Sequence, residues 1–140
     1  MSRLNHSEKR ACNHRSRGIA SLEFVIIMPV LLTLLFGVME YGWMMTKSGE
    51  LVNAAREGAR TGARPDATTA DINSVVDARM ADAGMNGHTT NITAAAAVGD
   101  PVTVQVTVPY DGGVELVGFF LVPVPGSLQA SVSMSKEGPG

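Results

Sequence analysis

From Phe24 to Met39 the chain carries sixteen residues without a charge, FVIIMPVLLTLLFGVM, and this run limits the possible folds more than any other stretch. As a helix it is about 24 Å long, somewhat short of a hydrocarbon core of about 30 Å. Adding Ile19 to Leu22 before it and Tyr41 to Met45 after it gives a segment long enough to span a bilayer. Everything N-terminal to that segment is polar and basic, and everything C-terminal to it reads as one small domain.

Charge follows the same division. The whole chain of 140 residues has a formal charge of −2. Residues 1–18 hold Arg3, Lys9, Arg10, Arg15 and Arg17 against Glu8, a net +4, which leaves six basic and twelve acidic groups, a net −6, for the rest. A nucleic-acid binder would spread its positive charge over a folded surface, so that class is excluded. Basic residues confined to one flank of an apolar helix instead predict a cytoplasmic leader and a C-terminal domain on the far side. The lone cysteine, Cys12, lies in the leader, so no disulfide can form within the far-side domain. An ordinary cleaved signal peptide fits poorly, because the apolar run is long, contains Pro29 and ends in Glu40-Tyr41 rather than a small-x-small site.

The expected elements follow in order. Residues 1–17 should lack fixed structure, and helix should begin near Ile19 and continue past the membrane. Beyond Trp43 the sequence KSGELVNAAREGARTGAR places Leu51, Val52, Ala55 and Ala59 at helical spacing. Gly58 and Gly62 weaken this extension by up to about 1 kcal/mol each relative to Ala, which suggests close approach of a neighbouring backbone. Pro65-Asp66 ends it. A second helix starts from Thr68 or Thr69, shows an apolar stripe of Ile72, Val75, Val76, Met80 and Ala83, and stops at Gly84. Residues 89–98 are β-prone at Asn91-Ile92-Thr93 and ambiguous across Ala94 to Ala97. Val102, Val104, Val106 and Val108 alternate with polar residues as a half-buried strand, as do Leu128, Ala130, Val132 and Met134. Residues 111–126 are apolar but far too short for a second span, so a covering helix or loop is expected there.

The predicted architecture is therefore α+β and pilin-like: a long N-terminal helix running into a domain with one short helix and a two- to three-stranded antiparallel sheet. Its parts are a leader (1–18), a span (19–45), a helical extension (46–64) and a small domain (65–140). Glu40, Tyr41 and Trp43 read as membrane-interface anchors, since aromatic and charged residues collect at the headgroup level. Pro29 lacks an N–H, which deprives the carbonyl of Val25 of its helical partner and predicts a kink. Arg56, Glu57, Gly58 and Arg60 are either a partner-contact patch or a solvated helix face.

Catalysis finds no support. His6 and His14 lie in the leader, which leaves His88 alone, and one histidine without cysteine builds no metal site. No nucleophile elbow or phosphate loop occurs, so a non-enzyme without cofactor is expected.

Three features taken together carry a resemblance: a short basic leader ending in Gly18, an apolar helix starting at Ile19, and a carboxylate, Glu23, five residues after that glycine. They resemble the type IV prepilin processing site. The resemblance implies cleavage after Gly18 by a prepilin peptidase, with Ile19 as the new N-terminus. It also implies that Glu23 pairs with the amine of a neighbouring subunit. The run ASLEFVIIMPVLLTLLFGVMEYG, followed by NAAREGARTGA, looks like the TadE family of minor pilins or pseudopilins of tight-adherence (Flp-type) pili. That resemblance covers residues 16–64 closely and the remainder in architecture only; Ser135-Lys136 departs from a Met-Arg-like pair. It implies a bacterial inner-membrane protein with a cytoplasmic N-terminus, acting in adhesion and biofilm formation. Its partners would be other pilins, the assembly machinery and the bilayer. The alternative is an uncleaved bitopic protein whose periplasmic domain is a partner- or ligand-binding module.

Overall fold

The computed structural model describes residues 8–111, 114 and 126–138, with side chains from residue 21 onward. The elements in order are α1 (Glu8–Gly62), α2 (Thr69–Asp82), β1 (Thr89–Thr93), β2 (Pro101–Pro109) and β3 (Ser127–Ser135). This is the expected α+β pilin-like arrangement. The strand count is three, in the order β1-β2-β3, with both pairings antiparallel. The segment expected to cover the sheet lies outside the described residues, apart from 111, 114 and 126.

Helix α1 begins at Glu8, well before the expected start near Ile19. No proline or glycine interrupts residues 8–17, and once a long helix exists each residue added at its end gains a hydrogen bond without a new nucleation step. The chain divides into two compact units, residues 1–38 and residues 39–140. In the first, Leu22 and the apolar residues from Phe24 to Val38 are largely exposed. The helix continues through Pro29, where the hydroxyl of Thr33 donates to the Pro29 carbonyl at 2.8 Å.

The second unit holds the core. Val102, Val104, Val106 and Val108 on β2 are all but completely buried, because β2 is the central strand and its apolar face lies against helices. Each such side chain contributes about 1.5–3 kcal/mol relative to exposure. Pairing Val104 with Ile92 on one side and Val132 on the other keeps the apolar residues of all three strands on one face. The other face is hydroxyl- and amide-rich, and across it Thr103 and Ser133 share a 2.7 Å hydrogen bond.

Helix α2 has the ends its sequence predicts. Thr68 is the N-cap and forms a reciprocal capping box with Asp71. The chain leaves α2 through Gly84 at φ +67°, a left-handed conformation that glycine adopts without steric penalty. Its buried residues are Ile72, Val76 and Met80, and the partly buried Ala83 also packs on the core.

The two glycines of the α1 extension correct the expectation placed on them. A Cβ at Gly58 would lie 2.7 Å from Val76 Cγ2 and 3.2 Å from Val104 Cγ1. At Gly62 it would lie 2.8 Å from Ile72 Cδ1 and 2.9 Å from Val102 Cγ1. Branched side chains of α2 and β2, rather than another backbone, fill the space.

Candidate functional site

The features with functional meaning are arranged along α1. Its membrane-type segment belongs to the only helix among the described residues long and apolar enough to cross a bilayer. The most apolar 18-residue window there has a mean hydropathy of 2.4, and none of it is buried. Glu23 is exposed in this segment, an isolated carboxylate on an otherwise apolar surface. Gly18 and Ile19 are in the helix, and Pro29 is near its middle.

From Glu40 onward α1 has a buried seam. Glu40, Met44, Lys47, Leu51, Ala54 and Gly58 recur at alternating steps of four and three residues, which keeps them on one side of the helix. Ala55, Ala59 and Gly62 widen the seam with small residues, and the branched residues of α2 and β2 fill the space they leave.

Two charged residues lie on that seam. Glu40 is only 3% exposed, and its carboxylate accepts a 2.8 Å hydrogen bond from the hydroxyl of Tyr110, just beyond β2. Burying a carboxylate is strongly unfavourable unless it is hydrogen-bonded, so this pair fixes where the chain after β2 meets α1. Lys47, 8% exposed, donates its ammonium to the carbonyl of Ala83, the C-cap of α2. A cation at that helix end is favourable because the last carbonyls carry partial negative charge. The ammonium also lies 4.8 Å from the centroid of the Trp43 ring.

Of the three residues expected to anchor at an interface, Tyr41 is exposed, Trp43 is half-buried and Glu40 is turned into the core. The indole Nε1 of Trp43 is buried and has no hydrogen-bond partner among the described residues. Sequence singles out Glu40 but not its partner, and it offers Lys47 only an i,i+3 pairing with Glu50, whereas the ammonium turns inward to Ala83. The available signal was spacing: stepping back from Leu51 by four, three and four residues reaches Lys47, Met44 and Glu40.

The block from Asn53 to Arg60 has two faces. Ala54, Ala55, Gly58 and Ala59 pack inward, while Asn53, Arg56 and Arg60 are exposed and Glu57 is half-buried. Glu50, Asn53, Arg56 and Glu57, with Arg79 of α2, line an open groove of about 280 Å³ floored by Ala54. The only ion pair within 4 Å among the described residues lies elsewhere, between His88 and Asp77 at 2.8 Å. Asp71, at the start of α2, is held below the ordinary carboxylate range, first by the side-chain hydrogen bond from Thr68, then by the Thr68 backbone N–H, with a smaller contribution from the charge of Arg64.

Comparison with curated proteins gives no match, and comparison with solved structures gives none either. The family described as TadE-like protein matches residues 18–60. The matched segment starts at the glycine that ends the basic leader and takes in the carboxylate at Glu23, Pro29, the buried Glu40 and the two-faced block. Residues 18–60 of this chain are therefore a TadE-like family domain.

Proposed function

We propose that this chain is a minor pilin or pseudopilin of a tight-adherence pilus, matured by a prepilin peptidase that cuts between Gly18 and Ile19. The observation that carries the reading is the coincidence of the family match with the leader junction: the match begins at residue 18, where basic sequence gives way to apolar helix.

Cleavage there removes the leader's positive charge and creates one amine at Ile19. Glu23 is one helical turn away, and in a low-dielectric bundle its carboxylate is stabilised by the amine of an adjacent subunit. A charge at the centre of a membrane helix costs about 2.5–3.5 kcal/mol on insertion scales, so such pairing also sets the axial stagger between helices. Pro29 supplies a point at which the helix can yield as a subunit leaves the bilayer. The anchored domain, with its N-terminus cytoplasmic, then presents Arg56, Glu57 and Arg60 to other subunits or to the assembly machinery, in the service of adhesion and biofilm formation.

Intact mass and N-terminal sequence of the protein extracted from its native membrane test this reading. A chain beginning at Ile19 is the expected result. A chain that keeps its leader in cells with an active prepilin peptidase overturns it and leaves a membrane-anchored binding domain.

A further inference from the structure

The corner between α2 and β1 holds a reactive dipeptide in the open. Asn86-Gly87 sits between the buried Met85 and the half-buried His88, and both of its residues are exposed outside any helix or strand. Gly87 has φ +68°, and a Cβ there would meet nothing closer than Pro109 Cγ at 3.8 Å. The Gly87 nitrogen is therefore uncrowded. Among the described residues its N–H has no hydrogen-bond partner.

The other asparagines of the domain are held differently. Asn53 and Asn73 lie within α1 and α2, where the N–H of the following residue is bonded one turn back along the helix. Asn91 lies in β1 and is followed by Ile92, whose branched side chain crowds the next backbone nitrogen.

We propose that Asn86 is a site of spontaneous deamidation, at which the chain modifies itself with water as the only co-reactant, and that the product lengthens the corner that positions β1. The backbone nitrogen of Gly87 attacks Cγ of Asn86. The new N–Cγ bond closes a succinimide ring, and the side-chain amide leaves as ammonia, carrying the proton given up by the Gly87 nitrogen. Water then opens the ring. Cleavage of the new N–Cγ bond gives aspartate, whereas cleavage of the original peptide bond gives isoaspartate, in which the main chain runs through Cβ and Cγ and is one methylene longer. The corner has little slack to absorb that atom. Met85 is 1% exposed in the core, His88 is tied to Asp77 at 2.8 Å, and only Asn86 and Gly87 separate these two fixed points before β1 begins at Thr89. The reaction involves neither the leader nor the membrane, so it is independent of the pilin reading.

Mass spectrometry of the full detergent-solubilised chain tests the proposal, with folded and urea-unfolded samples incubated in the same mildly alkaline buffer. In the folded chain the amide-to-acid mass change, localised by fragmentation, should map to Asn86 at a rate within about threefold of the unfolded rate, because no opening of structure has to come first. Asn53 and Asn73 should convert at least roughly tenfold more slowly folded than unfolded, since the cost of opening a helix enters the rate exponentially. An isoaspartyl methyltransferase should label the Asn86 peptide, and Asn86→Gln should abolish both the label and the mass change there. Isomerisation at Asp111-Gly112 changes no mass and is told apart on that ground. An Asn86 amide that survives in the folded chain while converting in urea overturns the proposal. Hydrogen exchange then reads the corner: the β1 amides should exchange at least about threefold faster in isoaspartyl chains than in fresh ones. Equal exchange overturns the link between the modification and β1.

Discussion

At the scale of single residues, the Glu40–Tyr110 contact is the most exacting feature of this chain. The two are seventy positions apart in sequence, yet their oxygens lie 2.8 Å apart in a buried site. Tyr110→Phe keeps the ring and deletes the hydroxyl donor. A hydrogen bond to a charged group is worth about 1.5–3 kcal/mol, so unfolding of the variant, followed by chemical denaturation of the detergent-solubilised chain, should show a loss of that order. An unchanged midpoint would mean that the contact carries no stability. Lys47 shows the same logic with opposite charge. The ammonium of Lys47 holds the carbonyl of Ala83, so both charged residues on the seam are spent on joining α1 to something distant in sequence.

At the scale of elements, much of the fold is written locally. Thr68 and Asp71 mark the start of α2 and Gly84 its end, because caps and left-handed glycines act within a few residues. The alternating valines of β2 state their own burial. What sequence conceals is which charged residues are internal, since a stripe containing Glu40 and Lys47 reads as amphipathic noise until Tyr110 and the α2 carboxyl end are placed against it. The glycines illustrate the same limit. Four of them interrupt α1 between residues 42 and 62, and sequence treats them alike, but space separates them. A Cβ at Gly49 meets nothing within 4 Å, whereas at Gly58 it meets Val76 at 2.7 Å. Gly58→Ala should therefore destabilise by about 1–3 kcal/mol through overpacking, despite alanine's better helix propensity. Gly49→Ala should stabilise by up to about 1 kcal/mol. Thermal unfolding of the two variants side by side checks both, and equal shifts would refute the packing account.

At the scale of the whole molecule, the TadE-like match ends at residue 60, near the end of α1. That boundary shows why the membrane-side motifs were legible as a family resemblance while the sheet was legible only as a pattern. Residues 18–60 combine specific types at specific spacings, but the strands show only alternation, which many unrelated sheets share. The role assigned to Glu23 belongs to this scale because it concerns assembly. Glu23→Ala removes a single carboxylate from an exposed apolar helix, so the variant should reach the membrane in normal amount and be processed normally. Surface piliation should fall sharply, as counted by electron microscopy. Normal piliation would leave Glu23 without the pairing function proposed for it.

The backbone N–H of Glu137 donates to the carbonyl of Ala63 at 2.7 Å, and Lys136 is tied to the Gly99–Asp100 turn by two further backbone bonds. The carbonyl at the end of α1 thus receives its partner from a residue synthesised more than seventy positions later, just after β3 has joined the central strand. A ribosome releases the helix first and this fastener more than seventy residues later, so during synthesis the end of α1 must wait for its partner while α2 and β2 come to cover the seam. Until β3 arrives the nascent chain has a half-made sheet, and this timing makes it a client for any chaperone that meets it there. A premature stop before residue 127 would therefore do more than shorten the chain: it would leave β2 with an unpaired edge and the carbonyl of Ala63 without the Glu137 donor.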